Sequence, residues 1–271
     1  MNKKIKTILA AGLLTLGMAA QACNTDAWDV ATNVTSSGPA DQGGIARYSG
    51  VCAMDGTSGT VVNNGATANS QNSGPATEDK MIARFYFHAT GTGSDTIFTA
   101  YSEDAATTAV FTVDYDGSAI TVTPLGTGAG LAATVNNVAL SKWHSIEVEW
   151  NDNGALNVWV DSDATNDNAD ATTTTSTSST IIEAVKMGGS GQFTSLLFDS
   201  YESRRNTPIG RLLVSDANGD GTVNVIDASA IVGEALGSFI NSQPNSMPDC
   251  TQDGQVNVID ASCAVFVALS N

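Results

Sequence analysis

A twelve-residue acidic segment, Asp216-Ala217-Asn218-Gly219-Asp220-Gly221-Thr222-Val223-Asn224-Val225-Ile226-Asp227, recurs 33 residues later as Asp249-Cys250-Thr251-Gln252-Asp253-Gly254-Gln255-Val256-Asn257-Val258-Ile259-Asp260. Across residues 216–236, 13 of 21 positions are identical in the second copy, which marks a duplicated unit. The spacing has a chemical reason. A hard cation such as calcium takes about six to eight oxygens, and a loop offering them at positions 1, 3, 5, 7, 9 and 12 wraps around the ion. Position 6 needs glycine because the chain turns sharply there, and Gly221 and Gly254 occupy it. In the first loop the expected calcium ligands are Asp216, Asn218 and Asp220 through side chains, Thr222 through its carbonyl, Asn224 through water, and Asp227. The second offers Asp249, Thr251, Asp253, Gln255 through its carbonyl, Asn257 and Asp260. Thr251 is a weaker ligand than Asn or Asp, so the second site is expected to bind less tightly or to lean on an extra water. Asp closes both loops, and residues 228–236 and 261–269 have apolar positions at the spacing of short helices. No full helix fits before the first loop. No Lys or Arg follows Arg211, so six aspartates in this tail repel one another unless a cation lies between them. Withdrawing calcium is expected to loosen or unfold it.

The loop-helix duplication, with its DxNxDGxVNxxD pattern and apolar residues after it, resembles a type I dockerin over roughly residues 212–271, and we place the module at 214–271. The resemblance implies that calcium orders the module and that two helices present nearly equivalent faces to a cohesin domain on a scaffold protein. It maps the partner-binding pairs onto Val225-Ile226 and Val258-Ile259, identical in both repeats, which implies binding in either of two orientations. Two other readings stay open: the Val-Ile pairs as core residues, and calcium merely holding a small domain together with no cohesin partner.

The N-terminus reads as a secretory signal over residues 1–22: a basic start at Lys3, Lys4 and Lys6, an apolar run from Ile8 to Ala20, and Ala20-Gln21-Ala22 before the cut. The run is shorter than the roughly 20 residues of a spanning helix, so no transmembrane segment is expected in the mature chain. Export to the extracellular space, periplasm or cell surface follows. Cys23 after the cut invites lipidation, but Ala20 stands where such signals have Leu. Cys23, Cys52, Cys250 and Cys263 form an even set in an oxidising compartment, which points to disulfides. Three connectivities exist, and proximity favours Cys23 with Cys52 and Cys250 with Cys263.

Residues 23–205 alternate short apolar runs with Gly, Asn, Asp and Thr, and 206–213, with Pro208 and Gly210, read as a linker. Strands are expected at 81–88, 96–101, 109–115, 119–124, 143–150, 155–160, 181–187 and 194–201. In 145–150 the period is two: Ile146, Val148 and Trp150 face a core, while Ser145, Glu147 and Glu149 face solvent. Asn151-Asp152-Asn153-Gly154 turns the chain into a second strand bearing Leu156, Val158 and Val160 on one face. Such a pattern without long helices predicts a mostly β, antiparallel sandwich or jelly roll, followed by a small helical calcium module. Trp143-His144-Ser145-Ile146-Glu147-Val148, with Leu156-Asn157-Val158-Trp159-Val160-Asp161, resembles the hairpin of laminin G-like and concanavalin-like jelly rolls. Phe198-Asp199-Ser200-Tyr201-Glu202-Ser203-Arg204-Arg205 is similar to the closing strand of secreted bacterial members. Ser162 departs from the family's usual Gly, and residues 163–180 form an inserted low-complexity loop expected to be mobile.

The net charge of −17 becomes −20 once the signal is removed, which argues against nucleic acid, whose phosphates need clustered Lys and Arg. Some concanavalin-like folds hydrolyse glycosides with paired carboxylates. The ExDxxE strand pattern is absent here, and Glu147 and Glu149 read as the solvated side of a strand. His88 and His144 read as packing or surface residues, and no nucleophile elbow, zinc helix, phosphate loop or dinucleotide fingerprint is present. No catalytic residue is assigned. Trp159 is a candidate sugar platform, with packing on the second sheet as the plainer reading. Asp161, Asp163, Asp167 and Asp170 read as a solvated acidic loop rather than a further calcium site. The sequence therefore predicts an exported, non-enzymatic protein whose module docks a recognition domain for a polysaccharide or cell-surface ligand. The competing classes are a matrix or adhesion protein with purely structural calcium and, more weakly, a polysaccharide-degrading glycoside hydrolase.

Overall fold

The protein is described by a computed structural model that covers residues 25, 28–38, 47–63, 80–103, 105–176, 181–238 and 246–270. The signal at residues 1–22 and Cys23 lie outside the described residues. The strands are β1 Val30–Thr32, β2 Thr35–Ser37, β3 Ala53–Asp55, β4 Thr60–Asn63, β5 Lys80–Thr90, β6 Asp95–Tyr101, β7 Ala109–Tyr115, β8 Ala119–Pro124, β9 Ala133–Asn136, β10 Trp143–Asn151, β11 Ala155–Val160, β12 Ala171–Thr174, β13 Ala184–Gly188 and β14 Ser195–Arg204. Two helices follow, α1 Val225–Ala235 and α2 Val258–Ser270. Sheet 1 has the order β1-β4-β13-β6-β7-β8-β9, and sheet 2 has β12-β11-β10-β5-β14-β3-β2. Successive strands such as β5 and β6, β9 and β10, or β13 and β14 fall in different sheets, so the chain crosses repeatedly between two antiparallel layers in jelly-roll fashion.

The core lies where period-two alternation puts it. Ile146, Val148 and Trp150 of β10 and Leu156, Val158 and Val160 of β11 point inward. Phe85 of sheet 2 stacks on Phe98 of sheet 1 at 5.3 Å between ring centroids. The polar tips of core aromatics find partners: the Trp150 indole N–H donates to Thr175 Oγ1 at 2.9 Å, and the Tyr115 hydroxyl donates to the Val138 carbonyl at 3.0 Å. Where β13 meets β4, Gly188 sits at φ +132°, and a Cβ there would come within 2.1 Å of the Gly59 carbonyl oxygen, so only glycine fits.

Three expectations are corrected. First, the outer face of sheet 2 is covered rather than solvated. Residues 209–212 lie along it as a strap, and Glu147, expected in water, is buried and accepts from the backbone N–H groups of Ile209 (2.9 Å) and Gly210 (2.8 Å). Arg84 donates to the Gly210 carbonyl at 2.8 Å, and the Leu212 N–H donates to the Tyr86 hydroxyl at 2.7 Å. Second, the segment expected to be mobile is fixed where it is described. Residues 171–174 pair with β11, and the Asp170 carboxylate accepts from Val160 N at 2.8 Å. Third, Trp159 is neither a sugar platform nor packed on the second sheet. It is buried under this loop, its indole N–H donating to the Asp167 carbonyl at 3.1 Å.

The C-terminal module rests on the same outer face. Tyr48, Ala53, Tyr86, Trp143 and Leu197 of the sandwich enclose Met247, with Leu212 and Val214 at the margin. Tyr48 stacks on Tyr86 at 3.7 Å. Buried Arg47 forms an ion pair with Glu234 of α1, also buried.

Candidate metal loops and docking face

The two loops adopt the same hydrogen-bonded form. Asp216 Oδ1 and Oδ2 accept from Asp220 N (3.0 Å) and Gly221 N (2.7 Å), and Asp249 Oδ1 and Oδ2 accept from Asp253 N (3.2 Å) and Gly254 N (2.6 Å). The closing aspartates repeat the correspondence: Asp227 accepts from Asn218 N and Asn224 N, Asp260 from Thr251 N and Asn257 N. Gly221 and Gly254 lie at φ +85° and +88°, the left-handed turn that position 6 demands. Asn224 and Asn257 cap their helices, accepting from Ile226 N and Ile259 N at 2.8 Å each. Helix formation thus begins at Val225 and Val258, three residues earlier than apolar spacing predicts.

All four end aspartates, Asp216, Asp227, Asp249 and Asp260, are buried. Burial pushes the Asp249 carboxyl up to about 7, helped by the charges of Asp260 and Asp253 and opposed by the Gly254 and Asp253 N–H groups. Asp220, by contrast, is held low first by the Thr222 hydroxyl and then by Asn218. Among the described residues no three His, Cys, Asp or Glu side chains converge as a metal cluster; Asp216, Asp227, Asp249 and Asp260 accept from backbone N–H groups of their own loops. Thr251 is placed between the two ends of its loop, 3.3 Å from Asp249 and 2.9 Å from Asp260. The donor set fits calcium on chemical grounds: it is all oxygen, anionic and half-desolvated, and no cationic side chain lies in the tail to neutralise it. Cys250 and Cys263 form a disulfide with Cα atoms 5.9 Å apart, tying the second loop to α2. Cys52 is also disulfide-bonded.

The Val-Ile pairs are not core. Val225 and Ile226 are 72% and 59% exposed, Val258 and Ile259 60% and 63%. The 33-residue register continues the exposed stripe through Val232 and Val265, then Leu236 and Leu269, positions that the same repeat arithmetic could have found. Phe266 is exposed on α2 where α1 has Gly233. The inner faces of both helices meet through Ala228, Ile231, Ala261 and Ala264.

The acidic and histidine candidates of the sandwich are engaged elsewhere. Burial pushes the Glu147 carboxyl upward, opposed by the Ile209 and Gly210 N–H groups and then by Arg84. Glu149 pairs with Lys80 at 3.1 Å. His144 is held between Asp161 Oδ2 (2.6 Å) and the Ala139 carbonyl (2.7 Å), and His88 packs on Trp143.

Residues 214–263 match the family of the dockerin type I domain. No curated protein matches the chain. Among solved structures, a family 7 alginate lyase in complex with its product is similar at a TM-score of 0.41 and 11% identity, over 57% of this chain and 80% of that one. The same lyase with substrate gives 0.36 and 10%, over 47% and 61%. The receptor-binding domain of a botulinum neurotoxin C/D mosaic serotype gives 0.42 and 9%, over 64% and 43%. The chain thus spans less than two thirds of two of these three structures, and likenesses at such TM-scores carry no argument about activity. Among the described residues no helix is long and apolar enough to cross a membrane.

Proposed function

We propose that this is an exported, non-catalytic protein whose dockerin-like module, ordered by calcium, attaches a jelly-roll recognition domain to a cohesin-type partner. In this reading residues 1–22 are a signal peptide, 23–205 the jelly roll, 206–213 the linker, which carries the strap, and 214–271 the module. Asp216, Asn218, Asp220, Thr222, Asn224 and Asp227 hold one ion, and Asp249, Thr251, Asp253, Gln255, Asn257 and Asp260 the other. Bound calcium would supply positive charge that the oxygens of each loop coordinate, joining its two ends. The residues themselves set the helix starts, since Asn224 and Asn257 cap the turns that display the Val-Ile pairs.

The observation that carries the reading is the exposure of apolar side chains on both helices in one repeated register. Large apolar side chains left exposed in this way are the kind of surface that a protein contact covers. Because Val225-Ile226 and Val258-Ile259 are equally displayed, either pair can lead the contact. The non-catalytic reading is supported by Glu147, Glu149 and His144, each spent on a structural bond. The recognition domain's ligand is expected to be a polysaccharide or a cell-surface protein.

The test is titration of type I cohesin domains into the full chain in calcium and in chelator. Binding in calcium only is expected, surviving Val225→Ala with Ile226→Ala or Val258→Ala with Ile259→Ala, and lost when all four are changed. Calcium-saturated chain that binds no cohesin overturns docking and leaves a matrix or adhesion component with structural calcium. Incubation with alginate and neutral polysaccharides is expected to release no new sugar ends, and turnover would return the protein to the enzymes.

A further inference from the structure

The module does not hang from the sandwich; its second loop is built against it. Met247, two residues before Asp249, is fully buried among Tyr48, Tyr86, Trp143 and Leu197. Gln252, between Thr251 and Asp253, stands at φ +60°, a left-handed conformation costly for a side-chain-bearing residue, and its carbonyl accepts from Trp143 N at 3.0 Å. The Ser246 carbonyl accepts from Gly50 N at 3.1 Å, and Met247 N donates to the Asp216 carbonyl at 2.7 Å, joining the first loop to the same seam. The buried Arg47–Glu234 pair closes the seam at α1.

A calcium loop of the helix-loop-helix kind is held from both ends, whereas the segment leading into the second loop, residues 246–250, is not helical. The sandwich stands in for the missing element: it clamps the chain just before the first ligand and again between the second and third. Holding a loop near its bound form lowers the ordering cost of binding. Such linkage is reciprocal, so whatever the sandwich does for ion binding, ion binding returns to the sandwich.

We propose that the sandwich is the structural support of the second calcium loop, so that ion binding there and seating of the module on sheet 2 form one coupled equilibrium. The proposal rests on the calcium reading above. It is tested with the full chain and calcium alone, by titration calorimetry and tryptophan emission. Two ions are expected to bind, with an emission change that disappears in Trp143→Phe. Met247→Ala is expected to weaken one of the two sites at least tenfold, and in Asp216→Asn with Asp220→Asn the surviving site is the one that Met247→Ala weakens. Without any seam variant, chelation is expected to lower the midpoint of the sandwich's own unfolding, followed by its β-sheet circular dichroism. Two ions bound with a silent Trp143, an unshifted sandwich midpoint, or unchanged affinities in Met247→Ala overturn the coupling and leave the calcium reading standing. No ion bound by the wild-type chain overturns both.

Discussion

Glu147 shows how a single charged side chain can join two parts of a chain. Its two oxygens take the N–H groups of Ile209 and Gly210, so the strap is fastened by one carboxylate under a buried arginine. Glu147→Ala would strand both donors and leave Arg84 short of a nearby negative charge. We expect a loss of about 3 kcal/mol in urea unfolding, whereas a loss below about 0.5 kcal/mol would mean that the strap is held by its other bonds. Asp161 works in the opposite electrostatic sense. Burial raises its carboxyl, but the His144 bond, the Ser145 N–H and Arg211 together outweigh that and hold it low. A carboxylate lowered on folding stabilises above its unfolded value and loses that contribution as pH falls through the folded one. Asp161→Asn should therefore cost stability at pH 7 and progressively less in acid as the carboxylate takes up its proton, flattening the acid limb of a thermal unfolding series. Because 38% of its side chain stays exposed, the loss should be near 1 kcal/mol, the lower part of the range for such bonds.

At the scale of elements, legibility follows the strength of the local pattern. Strands β7, β8 and β11 begin and end where alternation puts them, because their apolar residues are spaced by two and bounded by Gly, Asp or Pro. Strands β1–β4, β9 and β12 escape a sequence reading: they are three or four residues long, and β9 and β12 are mostly Thr, Ala and Asn, paired by neighbours rather than by their own periodicity. The repeated acidic loops are the most legible, since repeat spacing fixes the turn that Gly221 and Gly254 make at positive φ. Apolar spacing starts their helices three residues late because Asn224 and Asn257 read as ligands and not as caps. Each cap is measurable by itself. Asn224→Ala and Asn257→Ala are each expected to cost about 1 kcal/mol of module stability at saturating calcium, with a matching fall in helical circular dichroism. A fall in ion affinity with no loss of helix would assign these residues to ion binding alone.

At the scale of the whole molecule, the illegible part is what meets what. Alternation tells inside from outside, but not whether the outside is then covered. The one clue is β5, whose Met81-Ile82-Ala83-Arg84-Phe85-Tyr86-Phe87 is apolar or aromatic at nearly every position instead of every second one. Such a run belongs to a strand shielded on both faces. The seam residues Arg47, Met247 and Gln252 have no sequence signal at all, because the partners they meet across the seam, Glu234, Tyr48, Tyr86 and Trp143, lie over 100 residues away.

Strand β5 is thus enclosed in every direction: β10 and β14 occupy its edges, sheet 1 its inner face, and the strap with the module its outer face. In deuterated water its amides should exchange last, and only through events that open the entire protein. If the module is shed first, the amides of β5 should instead speed up while those of β7, in the opposite sheet, keep their pace. The exchange times of these two strands would then record, residue by residue, the order in which the molecule comes apart.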